Sequence, residues 1–249
     1  MAHRPLVVVH RDKALLAEVS AARLATAVLD AQAGRGEADI VLTGGSMGSA
    51  ILEALGRSPL REAVDWGRVT VWWGDERFVP TGDEDRNETQ ARDALLDALP
   101  LDPARVHPMA GSDITGTPEE SADLYAAQLA EAARGEGDVP AFDVVMLGVG
   151  PDGHVASLFP GHPALSAGGS AVGVHGSPKP PPERVSLTFE ALGRGAQVWF
   201  LVAGQDKADA VRRSLGGAPR DEAPAGSVEG TSATIWLLDA GAASRLPTS

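Results

Sequence analysis

Short apolar runs alternate along the chain with longer segments that carry apolar positions at helical spacing. Residues 6–9, 40–42, 69–73, 142–147, 197–202 and 234–238 are compact runs rich in β-branched and aromatic side chains, and they predict strands. Residues 14–33, 46–55, 87–99, 118–133 and 206–215 predict helices. The first of these helices ends at Gly34-Arg35-Gly36, the third stops at Pro100, and the fourth opens with Pro118 and Glu119. Val106-His107-Pro108-Met109 predicts one further short strand. The run 142–147 lacks polar alternation, which points to a strand buried on both faces. This order predicts an α/β fold with a mainly parallel sheet and helices on both faces. With no repeat and no linker-like stretch, residues 1–249 read as a single domain. Segments 167–170 and 177–182, rich in Gly, Ser and Pro, read as exposed loops, either of which could act as a lid.

Composition narrows the function classes. The 249 residues hold enough chain for one large α/β domain or two small ones. There is no cysteine, so disulfides, thiolate metal sites and cysteine nucleophiles are excluded, and a cytoplasmic setting is expected. No window approaches a membrane span, and Met1-Ala2-His3-Arg4-Pro5 runs straight into a strand without the pattern of a secretory signal. The formal charge of −13 argues against a nucleic-acid or membrane partner. An anionic substrate would need a local cluster of bases on this acidic protein.

The densest chemistry follows the run 142–147. Gly148-Val149-Gly150-Pro151-Asp152-Gly153-His154 puts an acid and a histidine two residues apart at the carboxyl end of a buried strand. In an open parallel sheet, ligands bind at that end. Thr43-Gly44-Gly45-Ser46 joins the second strand to the second helix. Its amides can cradle an anion at the helix N-terminus, or Ser46 can simply cap the helix. Asp75-Glu76-Arg77 closes the third strand, where an arginine can hold an anion or a developing oxyanion. Arg184 and Lys207 are single bases near other strand ends. Two pattern matches fail on context. Gly44-Gly45-Ser46-Met47-Gly48 fits a serine-hydrolase elbow, but no late histidine follows. Gly148 to Gly153 fits a dinucleotide fingerprint, but no acid stands near twenty residues on. His3, His10, His107, His162 and His175 lack metal-ligand spacing, although His162 could line the pocket. No metal and no cofactor is expected.

Taken in order, Leu42 to Ser46, Trp73-Gly74-Asp75-Glu76-Arg77-Phe78-Val79-Pro80, Asn87, the Gly148 to His154 run with Ser157-Leu158-Phe159-Pro160-Gly161, Arg184-Val185-Ser186-Leu187-Thr188, and Gly204 to Lys207 resemble the 6-phosphogluconolactonase family. That family belongs to a wider group that includes glucosamine-6-phosphate deaminase. The resemblance implies a Rossmann-like three-layer sandwich and hydrolysis of 6-phospho-D-glucono-1,5-lactone, a small-molecule sugar-phosphate lactone. It implies His154 as general base with Asp152 as its loop partner. Gly44, Gly45, Ser46, Arg184 and Lys207 would bind phosphate, and Asp75 and Arg77 would line the ring and carbonyl end. Two departures stand out. Phe159 occupies the place of an acid in the deaminases, which favours the lactonase over a deaminase or a non-catalytic sugar-phosphate sensor. Arg86 stands where the family usually has a serine before Asn87, which puts the local turn chemistry in question. A monomer or weak homodimer is expected.

Overall fold

In the computed structural model, residues 4–133 and 137–247 are described, so His3 lies outside them. Six strands form one sheet: β1 (Leu6–His10), β2 (Ala38–Leu42), β3 (Val69–Trp73), β5 (Phe142–Leu147), β8 (Gly195–Val202) and β9 (Ala233–Asp239). Their order is β1-β9-β8-β5-β2-β3, and every neighbouring pair is parallel. Side chains alternate along each strand, so each sheet face has its own core. Trp73, Val144 and Met146 face one core, with α1 (Lys13–Arg35), α2 (Gly45–Arg57) and α3 (Asn87–Ala94) over it. Trp72, Val145 and Leu147 face the other, covered by α4 (Pro118–Ala132), α5 (Phe189–Leu192) and α6 (Ala208–Leu215). This is the three-layer α/β arrangement expected from the alternation.

Several elements differ from the sequence reading. The 106–109 segment contributes a single bridge, Val106 to Val71, instead of a strand. Pro108 has no N–H with which to continue a ladder. The 87–99 helix ends at Ala94; Leu95 turns away at φ −162° and a 3-10 turn follows over Leu96–Ala98. The apolar run at β1 is an edge strand with Leu6 and Val9 exposed. A second, antiparallel sheet goes unseen in the sequence: β4 (Asp75–Arg77), β7 (Arg184–Leu187) and β6 (Ala171–Val174), in the order β4-β7-β6. It packs into the same core as α4. At the outer edge of the main sheet, the Tyr125 hydroxyl accepts from the Trp73 N–H at 2.8 Å and donates to the Trp73 carbonyl at 3.1 Å. That edge therefore keeps no unpaired backbone group at Trp73.

The chain leaves β2 toward β3 on one side, and leaves β5 toward β8 and β9 on the other. The crevice between β2 and β5 is the switch point at which a doubly wound sheet binds ligands.

Candidate active site

A cavity of about 240 Å³ opens at that switch point. Gly44, Gly45, Ser46, Asp75, Arg77, His154, Arg184 and Lys207 all line it, although they come from separate segments of the chain. Asp152 stands behind His154, with its Oδ1 2.6 Å from His154 Nδ1. A carboxylate can only accept, so Nδ1 carries the proton and Nε2 is left as an acceptor. Burial works against ionisation of Asp152. The hydrogen bond and charge of His154 outweigh it and hold Asp152 down to about 2. The loop closes on itself through Gly150 N–H to the His154 carbonyl (3.0 Å) and Gly153 N–H to the Gly150 carbonyl (2.9 Å). A Cβ at position 150 would lie 2.0 Å from His154 Nδ1 and 2.4 Å from Asp152 Oδ1, so the pair exists only over a glycine.

The Asp75 end is built from buried polar side chains. Asp75 Oδ2 accepts from the Ser157 hydroxyl at 2.7 Å, and Arg184 Nη1 lies 3.9 Å away. Asn87 donates from Nδ2 to the Asp75 carbonyl at 2.7 Å. Its Oδ1 rests against Gly44, where any Cβ would meet it at 1.8 Å. Glu76 caps α3 from a distance: its carboxylate accepts from the backbone N–H groups of Asn87 (2.6 Å), Glu88 (2.9 Å) and Arg77 (2.8 Å). Burial pushes its carboxyl up to about 7, against Arg86 and those three donors. Arg86 itself is 1% exposed and donates to the Met109 carbonyl (2.6 Å) and to Glu88 (3.1 Å). The departure at Arg86 thus places a buried ion network behind the site, and the turn's capping passes to Glu76. Arg77 donates to the Asp85 carbonyl, while its Nε is buried with no partner.

Each cation is held differently. Arg184 uses Nε on the Pro181 carbonyl (3.2 Å) and Nη2 on the carbonyls of Lys179 (3.2 Å) and Pro180 (3.3 Å). Only Nη1 remains toward Asp75 and the cavity. Lys207 pairs with Asp206 at 3.1 Å. Lys179, absent from the sequence-derived site, also lines the cavity, and its ammonium forms no ion pair among the described residues. Burial lowers its pKa below the usual lysine range; Asp152 opposes this, and Lys207 and Arg184 reinforce it. The 177–182 segment is therefore more than an exposed loop. Ser177 is buried, its hydroxyl donates to the Lys179 carbonyl (2.9 Å), and Arg184 clamps the backbone that carries Lys179. The 167–170 segment is a loop with Gly168 and Gly169 exposed, and only Ser170, just before β6, is buried. Ser46 makes no capping bond, since α2 starts at Gly45 with Gly44 as its cap residue. The amides of the first turn are thus left for a ligand. His162 does not line the cavity. It accepts from Ala164 N–H at 3.1 Å, and its Nε2 lies 2.8 Å from the His175 carbonyl. Among the described residues, no group of three or more His, Asp or Glu is arranged to hold a metal ion.

Residues 11–236 match the family of glucosamine-6-phosphate isomerases and 6-phosphogluconolactonases. The chain belongs to this family. It is 55% identical over 254 residues to a 6-phosphogluconolactonase of Streptomyces coelicolor, covering 100% of this chain and 97% of that one. Against a 6-phosphogluconolactonase of Mycobacterium tuberculosis it is 45% identical over 239 residues, covering 95% and 96%. A solved 6-phosphogluconolactonase from Trypanosoma brucei superposes with a TM-score of 0.85 at 27% identity, covering 99% and 100%. Phe159 packs beside the histidine. Its buried ring lies 4.6 Å from the His154 ring, with the Arg184 guanidinium 5.9 Å from its centroid. An apolar surface thus lies beside the histidine. No helix among the described residues is long and apolar enough to cross a membrane.

Proposed function

We propose that this cavity hydrolyses 6-phospho-D-glucono-1,5-lactone at C1 to give 6-phospho-D-gluconate, by general-base activation of water. The reaction is that of a 6-phosphogluconolactonase, the second step of the oxidative pentose phosphate pathway, as in its full-length relatives. The observation that carries the mechanism is the Asp152–His154 pair, at 2.6 Å, in a cavity shared with four cationic side chains. His154 Nε2 takes a proton from water as the oxygen attacks C1. Asp152 holds the tautomer and balances the imidazolium, which returns the proton to the ring oxygen as the tetrahedral intermediate collapses and the bond from C1 to that oxygen breaks. Such a base contributes about 10²–10⁴-fold. Arg77 stabilises the tetrahedral oxyanion. The amides after Gly44, with Ser46, Arg184, Lys207 and Lys179, hold the phosphate and so orient the ring. A δ-lactone is an activated ester, so the residues present suffice. The Phe159 surface supports this reading over sugar ring opening, which calls for an acid at that position.

The test is the loss of freshly generated phospholactone at mildly acidic pH, where the spontaneous reaction is slower. Wild type is expected to remove it rapidly and His154→Ala at background rate, with phosphate affinity kept. Unchanged turnover in the variant would remove His154 as base. Background loss with both proteins would turn attention to a sensor or deaminase role. The same proposal includes one cytoplasmic domain acting as a monomer or weak homodimer, which sedimentation over a range of concentrations tests.

A further inference from the structure

The Asp152–His154 pair is held by a residue outside the cavity. Arg213, on α6, donates from Nη2 to the Asp152 carbonyl at 2.9 Å. Its Nη1 donates to the Glu222 carbonyl at 2.6 Å, and its Nε to Asp209 at 3.1 Å, one turn back on the same helix. The guanidinium therefore joins α6, the 219–225 segment and the His154 loop at one point. Two other ties bind that loop to the 219–225 segment. Ala225 N–H donates to the Gly153 carbonyl (3.1 Å), and Gly161 N–H donates to the Asp221 carbonyl (3.0 Å). Neither reaches the peptide between Asp152 and Gly153.

Within the loop, that peptide is held by one bond, from the Gly153 N–H to the Gly150 carbonyl (2.9 Å). Gly153 sits at φ +97°, and a glycine there lets the preceding peptide rotate at low cost. Rotation would release the Asp152 carbonyl from Arg213 and the Gly153 N–H from the Gly150 carbonyl, loosening the turn from which both Asp152 and His154 project. A charge-assisted donor on the carbonyl selects one orientation. We propose that Arg213 is a positioning residue for the general base: by holding the Asp152 carbonyl, it keeps the Asp152 carboxylate aimed at His154. The helix that carries it begins just after Lys207, so one rigid element joins the anion-binding end of the cavity to the acid–base end. The inference rests on the functional reading above and adds a residue that does not touch substrate.

The experiment compares wild type, Arg213→Ala and Arg213→Lys. The expected result is a fall in kcat of about tenfold in Arg213→Ala with KM within twofold, since the phosphate contacts stay in place. Added guanidinium at millimolar concentration is expected to restore kcat in that variant and not in wild type. Arg213→Lys, which keeps the charge and can reach one carbonyl, is expected to lie between the two and serves if the alanine variant folds poorly. A second readout does not depend on turnover. The downfield proton resonance of the His154 Nδ1–H bond, assigned by its loss in His154→Gln, is expected to vanish or broaden in Arg213→Ala. Active wild type with unchanged kcat and an unchanged resonance in both variants would overturn the positioning role. An inactive wild type whose resonance is still lost in Arg213→Ala would uphold it and sink the reaction assignment instead.

Discussion

Gly150 has space for a hydrogen and nothing larger, because His154 and Asp152 fold back over its Cα. A methyl group there must push the pair apart or move the loop, at a cost of about 1–3 kcal/mol. Gly150→Ala is therefore expected to fold, with the circular dichroism of wild type, and to lose about 10²-fold in kcat as the general base is misplaced. A kcat within twofold of wild type would mean that the loop yields without disturbing the pair. At this scale the sequence spoke clearly where a motif confines several atoms to a few residues, as in Asp152-Gly153-His154. It was silent on Lys179. A lysine within Ser177-Pro178-Lys179-Pro180 looks solvated, and its place in the cavity depends on Arg184 gripping three consecutive carbonyls.

The small antiparallel sheet brings Lys179 and Arg184 to the site, and a clasp at its end ties it to α4. His175 follows β6, and its ring bridges Glu119 at the start of α4 (2.6 Å) and Glu183 just before β7. The hydrogen bond that His175 donates to Glu119, with both carboxylate charges, raises the His175 pKa above its ordinary value of 6.5. A raised histidine pKa stabilises the fold below the unfolded-state value and ceases to do so as pH rises through the folded-state value. The three side chains are largely exposed, so the clasp contributes about 0–1 kcal/mol. Glu119→Gln is expected to be less stable than wild type to urea at pH 6, with the difference fading toward pH 9. A difference that is constant across that range would assign the effect to the helix terminus instead. These strands escaped the sequence reading for a physical reason. β4 is Asp-Glu-Arg and β7 begins with arginine, so neither shows an apolar run, and their pairing spans about a hundred residues. The longer elements carried their own signal, and the run 142–147 coincides with β5 end to end.

Over the whole molecule, the sheet works as a rigid partition with a core on each face, and the cavity sits on its edge. Leu147 is the last residue of β5, fully buried beneath the site loop. Leu147→Ala is expected to cost about 2–5 kcal/mol, from lost transfer energy and the cavity left behind. It should lower the thermal midpoint while leaving KM for the phospholactone nearly unchanged. A large rise in KM without loss of stability would mean that the cavity wall, not the core, feels the change. The sequence by itself determined the layer architecture, the strands that are locally apolar, the family and most of the residues that line the cavity, because periodicity and short motifs are properties of neighbouring residues. Strand order, the switch point between β2 and β5, the antiparallel sheet, the exposed edge at β1, and the parts played by Lys179, Arg86 and Arg213 were decided by tertiary structure alone. Each of these depends on contacts between residues far apart in the chain. A side chain's chemistry there is set by which distant carbonyl, carboxylate or ring it meets, and no local pattern encodes that meeting.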